Sequence, residues 1–180
     1  ATHTFSHYYC LEEGQTAEMF SADLDSSILI AKKFGIDIRS IVFPRNLHNP
    51  AYDEILLNHG IISYRGNIHH LMYQYSNKIH HSPVQRIYRL LDSYFNLSGN
   101  HTINWGEIIE ESGLCNIRES FFFRPTPRII SAFNNLIVKR ITMAMKEAAK
   151  QKKILHIWWH PHNFGINQEE NMANLEETLY

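Results

Sequence analysis

The chain has few cysteines, little net charge and no long hydrophobic run, and each shortage narrows the class of protein. Its two cysteines, Cys10 and Cys115, stand in no C-x-x-C pattern, so neither a disulfide framework nor a cysteine-based zinc site is expected. A formal net charge of −1 offers no basic surface to nucleic acid. No apolar run approaches the roughly 20 residues of a membrane-spanning helix. The sequence therefore predicts no nucleic-acid partner and no membrane span. Reduced thiols and the lack of a visible signal peptide favour the cytoplasm over secretion, although localisation stays open.

What the chain does contain is typical of a folded domain. Of its 180 residues, 44% are hydrophobic and 12% are aromatic, which is enough to build one core. We therefore predict a single domain over residues 1–180. The chain has no initiator methionine, and residues 169–180 look like an interrupted helix, so we expect it to be part of a longer protein. The sequence does not indicate an oligomeric state.

The first third of the chain alternates predicted helices and strands. Thr16 is a predicted N-cap for a helix with apolar residues at helical spacing. Residues 40–43 are predicted to form a buried strand, Pro50 opens a second helix, and residues 61–64 form another strand. Strand, helix and strand joined by short connections predict a parallel sheet or a barrel covered by helices.

Residues 67–119 interrupt this alternation and are predicted to be an insertion over one face, with a helix at residues 83–94. Strand character returns at residues 120–123, and Pro127 opens a long amphipathic helix. The inward stripe of that helix is predicted to be Phe133, Ile137, Ile141, Ala144 and Ala148.

Residues 154–163 form the most distinctive predicted strand. A period of two gives it one face with Leu155, Ile157 and Trp159, and another with His156, Trp158 and His160. The apolar face is expected to pack against helices, and the other to point into a barrel. Because barrel active sites gather at the carboxyl ends of strands, the His-Pro-His-Asn ending is more typical of a site than of a core.

Near the amino end, His3 and His7 are candidate metal ligands. At i and i+4 on one turn, Cβ atoms lie roughly 5–6 Å apart, which suits one divalent ion held by two imidazoles. A chain with 12 histidines contains such pairs by chance, and His156 with His160 is another. A surface turn with two solvated histidines therefore stays an alternative.

Taken in order, these segments resemble the polysaccharide deacetylase family, the carbohydrate esterases related to NodB. In that family a His-[Ser/Thr]-x-x-His segment supplies two metal ligands, and here it is complete from His3 to His7. An Arg-and-Pro motif lines the family's active site, and Pro44-Arg45 is similar to it with the two residues inverted. The family's last motif, Leu-x-His, carries the general acid. Here the segment from Trp158 to His160 is similar, with tryptophan in place of leucine.

The resemblance implies an α/β fold, an irregular (β/α) barrel of seven or eight strands, here without its first strand or strands and its C-terminal end. It implies one divalent ion held by His3, His7 and an upstream aspartate, with zinc first and cobalt, nickel or manganese as alternatives. The implied substrate is a carbohydrate that loses an N-acetyl group by hydrolysis, as in the biosynthesis of bacterial surface polysaccharides.

The resemblance also implies roles for individual residues. His160 would protonate the departing amine, Arg45 would orient the general base, and Trp158 would wall the acetyl pocket. His162 and Asn163 would support these groups or contact the sugar. The family's Asp-Asp pair precedes the two-histidine motif and is not in this sequence, so the isolated chain is expected to bind metal weakly and to be inactive.

Two other interpretations stay open. The pattern from His160 to His162 is also typical of barrel phosphoesterases and amidohydrolases, which hold two or three metal ions. A deacetylase-like barrel without catalytic activity would instead use its tryptophans and tyrosines to stack on sugar rings.

Overall fold

The computed structural model describes residues 1–73, 83–125 and 134–180, and these residues form two compact units. Unit 1 comprises Ala1–Asn67 and Gly106–Arg118, and unit 2 comprises Ile68–Trp105 and Glu119–Tyr180. Each unit has its own parallel sheet and its own apolar core.

The described elements are short strands, longer helices and single 3₁₀ turns. The strands are β1 (Ser40–Ile41), β2 (Ser63–Tyr64), β3 (Cys115–Asn116), β4 (Phe121–Phe122) and β5 (Ile157–Trp158). The α-helices are α1 (Ala17–Lys33), α2 (Asp53–Asn58), α3 (Pro83–Phe95), α4 (Asn134–Gln151), α5 (Pro161–Phe164) and α6 (Gln168–Leu179). The 3₁₀ turns are Pro44–Asn46, Pro50–Tyr52, Leu71–Tyr73, Trp105–Glu107 and Gly165–Asn167.

Helix α1 confirms the first predicted helix. The Thr16 side chain accepts a hydrogen bond from Met19 N at 3.2 Å, which satisfies one of the unpaired donors at the helix start. Past its end, Gly35 has a φ of +70°, the left-handed conformation that glycine adopts most readily. Phe20 and Leu24 are fully buried in the core of unit 1, so α1 covers the sheet with its predicted apolar face.

The sheet of unit 1 is parallel, as the alternation of strand, helix and strand predicts. Its order is β1-β2-β3, with Ser40 opposite Ser63 and Ser63 opposite Cys115. Thr2 extends it beyond β1 through a parallel bridge to Ile41. Strand β3 lies inside the predicted insertion and was missed, because a two-residue strand between polar loops carries almost no periodic signal.

Unit 2 contains the parallel pair β4 and β5 and the core formed with α4 and α6. Ile137, Ile141, Ala144 and Ala148 on α4 are buried, which confirms that part of the predicted stripe. Pro127 and Phe133 lie outside the described residues. Helix α3 confirms the helix predicted for residues 83–94 to within a residue.

The barrel of seven or eight strands, the single domain over residues 1–180 and the insertion over residues 67–119 stay predictions. Among the described residues, no helix combines the length and apolar character that crossing a bilayer requires, in agreement with the predicted absence of a membrane span.

Candidate functional site

Four parallel segments of unit 1 end at the same edge, and chemically active side chains follow them. His3 follows the bridge at Thr2, Arg45 comes shortly after β1, and Arg65 comes directly after β2. In parallel α/β sheets, ligands bind outside the carboxyl ends of the strands. This carboxyl edge is therefore the candidate site of unit 1.

The two predicted metal ligands lie side by side at this edge. The ring centroids of His3 and His7 are 4.6 Å apart, with the rings at 71°. His3 Nδ1 lies 2.5 Å from Val42 O, and because a carbonyl only accepts, the proton is on Nδ1. The neutral form of His3 therefore carries its lone pair on Nε2, the atom that is left to bind a metal ion.

The segment between the two histidines is a bent loop, which differs from the regular turn assumed for their spacing. Thr4 and His7 have φ values of 61° and 60°, in the left-handed region. Two backbone amides, Phe5 N and Ser6 N, donate to the carboxylate of Asp23 on α1 at 2.7 and 2.9 Å. Asp23 thus holds the loop in place, a role that nothing within its local sequence indicates.

The electrostatic surroundings of His7 favour its neutral form. Burial lowers the pKa of the His7 imidazole, and the nearby His3 and Arg45 lower it further. Because a metal-binding imidazole must be unprotonated, these surroundings suit the predicted role of His7.

Arg45, the predicted positioning residue, lies beside these histidines. Its guanidinium carbon is 4.4 Å from the centroid of the Tyr9 ring, and Tyr9 meets His7 edge-on at 5.0 Å. Arg45 Nη1 is also 3.5 Å from Glu12 Oε1. With a φ of 56°, Arg45 is a third residue of this edge in the left-handed region. The structure thus groups three of the residues selected from the sequence.

The next residues along the edge were not predicted. The side-chain oxygen of buried Asn46 accepts hydrogen bonds from Arg65 Nε at 3.1 Å and Arg65 Nη2 at 2.7 Å. Gly66 follows, and a Cβ there would lie 2.0 Å from Asn116 Oδ1, so a larger residue would have to displace the Asn116 side chain. The one available sequence signal was an Arg-Gly pair directly after a predicted strand.

A carboxylate and imidazole pair also lies in unit 1. His48 Nε2 is 2.6 Å from Asp53 Oδ1, and both side chains are largely buried. The His48 ring packs on Tyr64 with centroids 4.3 Å apart, and burial raises the pKa of Tyr64. This pair was missed because His48 stands in a loop whose sequence gives no metal or catalytic pattern.

In unit 2, the rings of the predicted catalytic segment form a connected group. Trp158 meets His160 edge-on at 5.1 Å, and the rings of His160 and His162 lie 5.2 Å apart at 27°. Both histidines are exposed, and Asn163 is half-buried, with its backbone amide bonded to His160 O at 3.0 Å. Trp159, which follows the end of β5, stacks on Phe164 instead.

A polar network joins α3 to α4 in unit 2. Asp92, which is fully buried, accepts hydrogen bonds from Tyr73, Ser98 and Arg140. Burial opposes the charged carboxylate, but these donors hold the pKa of Asp92 below its usual value. His101 Nε2 lies 2.7 Å from Ser98 Oγ, and burial lowers the pKa of His101 to about 4. The network holds the two helices together.

The predicted site residues fall into two groups. His3, His7 and Arg45 belong to unit 1, and Trp158, His160, His162 and Asn163 belong to unit 2. Within the part of the chain that the structure describes, no three His, Cys, Asp or Glu side chains form a cluster able to hold a metal ion. The described residues therefore supply His3 and His7 as two donors without a third.

Comparisons with known proteins find no matching family model, no matching curated protein and no matching solved structure.

Proposed function

We propose that the protein is a metal-dependent hydrolase that removes N-acetyl groups from a sugar or polysaccharide, built on a deacetylase-like (β/α) barrel. The observation that carries this proposal is the pairing of His3 and His7 beside Arg45 at the carboxyl edge of a parallel sheet. Sites of α/β enzymes are built at such edges, because loops after different strands meet there.

His3 and His7 would hold the ion, with zinc first and cobalt, nickel or manganese as alternatives. The bond from His3 Nδ1 to a backbone carbonyl fixes the ring and aims Nε2, as metal-binding histidines commonly require. When bound, such an ion lowers the pKa of a water molecule and polarises a carbonyl oxygen. Catalytic zinc sites have three protein ligands, so the proposal requires a third, which the family resemblance assigns to an aspartate.

The other selected residues handle protons and substrate. Arg45, fixed over Tyr9 and next to His7, would orient the carboxylate that removes a proton from water. His160 would give a proton to the departing amine, a step for which an imidazole is suited at neutral pH. Trp158, which meets His160 edge-on, would wall the acetyl pocket, and His162 and Asn163 would contact the sugar.

The test measures acetate release from N-acetylated sugars by the full-length protein. We expect activity that a chelator abolishes and that divalent metal restores. His3→Ala and His7→Ala should each lower kcat/KM by more than roughly a hundredfold, because each removes a metal ligand. His69→Ala, at an exposed histidine that belongs to neither group of predicted residues, is the matched control and should retain activity.

Acetate release that persists in His3→Ala, or that resists the chelator, would refute the metal-dependent reaction. Sugar binding without acetate release would instead favour the barrel that only binds carbohydrate.

A second candidate rests on the rings of His160 and His162, which lie 5.2 Å apart and nearly parallel. Such a pair suits a phosphoesterase or amidohydrolase, in which two ions clamp the reacting group. More than one bound ion per chain, with hydrolysis of phosphate esters and no acetate release, would favour this candidate.

A further inference from the structure

A pocket in unit 2 lies beyond the end of β5, beside α5 and the start of α6. It has a volume of about 330 Å³, and its lining includes Trp159, Pro161, His162, Phe164, Gln168 and Met172. Trp159 retains 37% of its surface exposed while it stacks on buried Phe164. The pocket is thus open to solvent and has an aromatic floor.

The walls of this pocket are fixed by the core of unit 2. Phe164 belongs to the same apolar cluster as Phe123 and Ile141, so the floor is anchored beneath the surface. From α6, the fully buried Asn171 donates to Phe164 O at 3.3 Å. Because its walls are anchored in this way, the pocket is present before any ligand binds, as small-molecule sites commonly are.

The chemistry of the lining selects the ligand. Among the described residues that line the pocket there is no Asp, Glu, Lys or Arg, so the pocket favours an uncharged ligand. The exposed indole of Trp159 offers an apolar surface, and His162 and Gln168 offer polar groups at its side. A volume near the lower end of the roughly 300–1,000 Å³ of ligand sites suits one ring and not an extended chain.

We propose that this pocket is a subsite for one neutral sugar ring, which stacks on Trp159 while its hydroxyls bond to His162 and Gln168. The proposal extends the carbohydrate substrate inferred above and rests on that function for its choice of sugar. It assigns Trp159, Gln168 and Met172 to ligand binding, whereas the deacetylation scheme uses none of them.

The test titrates the full-length protein with a methyl glycoside of N-acetylglucosamine, by calorimetry and by tryptophan emission. We expect saturable binding that Trp159→Ala and Met172→Arg each weaken at least roughly tenfold, as loss of a central contact commonly does. Trp159 also packs on Phe164, so Met172→Arg, at a half-exposed position of α6, is the variant that leaves the core intact. Leu179→Arg, exposed on the same helix and outside the pocket, is the matched control and should bind as the wild type does.

Three outcomes of this titration would contradict the proposed sugar subsite. Binding that is equal in Met172→Arg and Leu179→Arg, or no binding up to the solubility of the glycoside, would overturn it. Preference for an apolar ring such as toluene over the glycoside would overturn the class of ligand. Repeating the titration with His3→Ala separates the two proposals, because binding dependent on Met172 should persist there while acetate release is lost.

Discussion

Four non-glycine residues of the carboxyl edge in unit 1 have left-handed backbone conformations: Thr4, His7, Arg45 and Asn46. Each such conformation costs about 1–2 kcal/mol for a residue with a Cβ and persists only where the surroundings enforce it. Here the enforcing contacts include the carboxylate of Asp23 beneath the loop and the fork of Arg65 on the Asn46 oxygen. Backbone strain of this kind gathers at ligand sites, which agrees with the place proposed for the metal ion.

Asp23 provides a residue-scale test of this loop. Asp23→Ala removes the acceptor of two backbone amides, so the loop should lose its fixed shape and the two imidazoles their alignment. We expect the zinc affinity of the full-length protein to fall at least roughly tenfold, measured by competition with a chromogenic chelator.

Asp25→Ala is the control for that change. Asp25 lies on the same helix, and its exposed carboxylate pairs with His59 at 3.1 Å, away from the loop. Equal zinc affinities in the two variants would show that Asp23 does not position the ligands.

Where the signal was local, the sequence identified residues that the structure brings together, and their roles as metal ligands and positioning residue stay predictions. His3, His7 and Arg45 stand in short patterns, and the structure places them together. Asp23, Asn46 and Arg65 were given no role at the site, because their partners lie 17 to 19 positions away along the chain. Such a contact forms only in the folded backbone, and no local sequence pattern indicates it.

Elements with strong periodicity or clear end signals were predictable. Helices α1 and α3 and the buried part of α4 follow from apolar spacing, from the Thr16 cap and from Pro83 at a helix start. The strands were located but shorter than expected, two residues each, and β3 was missed. The helix predicted to open at Pro50 divides into the 3₁₀ turn Pro50–Tyr52 and helix α2.

The network between α3 and α4 predicts how the stability of unit 2 depends on pH. The pKa of His101 is lowered from 6.5 to about 4, so between these pH values the unfolded chain binds a proton at this imidazole and the folded chain does not. The pKa of Asp92 is also lowered, so its contribution is present above the unfolded pKa and is lost as pH falls through the folded one. Both effects have the same sign. The free energy of unfolding of unit 2 should therefore decrease from pH 6.5 to pH 4, and it should decrease further below pH 4.

Denaturation followed by tryptophan emission measures this dependence, because all three tryptophans belong to unit 2. His101→Asn removes the titrating group and keeps a side chain that tolerates the φ of 47° at this position, so it should flatten the slope between pH 6.5 and 4. His69→Asn, at an exposed histidine, should retain the slope of the wild type. The same slope in both variants would contradict the assignment to His101.

On the scale of the whole molecule, the residues proposed to bind metal lie in unit 1, and the proposed general acid and sugar contacts lie in unit 2. Metal binding in unit 1 is inferred from the strained loop between His3 and His7, from the Val42 carbonyl that orients His3 and from the carboxyl edge of the sheet. The roles in unit 2 are inferred from the contact between Trp158 and His160 and from the pocket that Trp159 lines. The barrel that would carry both stays a prediction, because closure of a barrel depends on pairings across the whole chain that local sequence patterns do not encode.

The most direct measurement is the metal content of the full-length protein after dialysis, compared with a His3→Ala, His7→Ala double variant and with His160→Ala. If His3 and His7 bind the ion and His160 serves as the acid, the wild type and His160→Ala should each retain about one ion per chain, as in mononuclear zinc hydrolases. The double variant should retain none. A metal ion that is retained by the double variant, or that is lost from His160→Ala, would contradict this assignment.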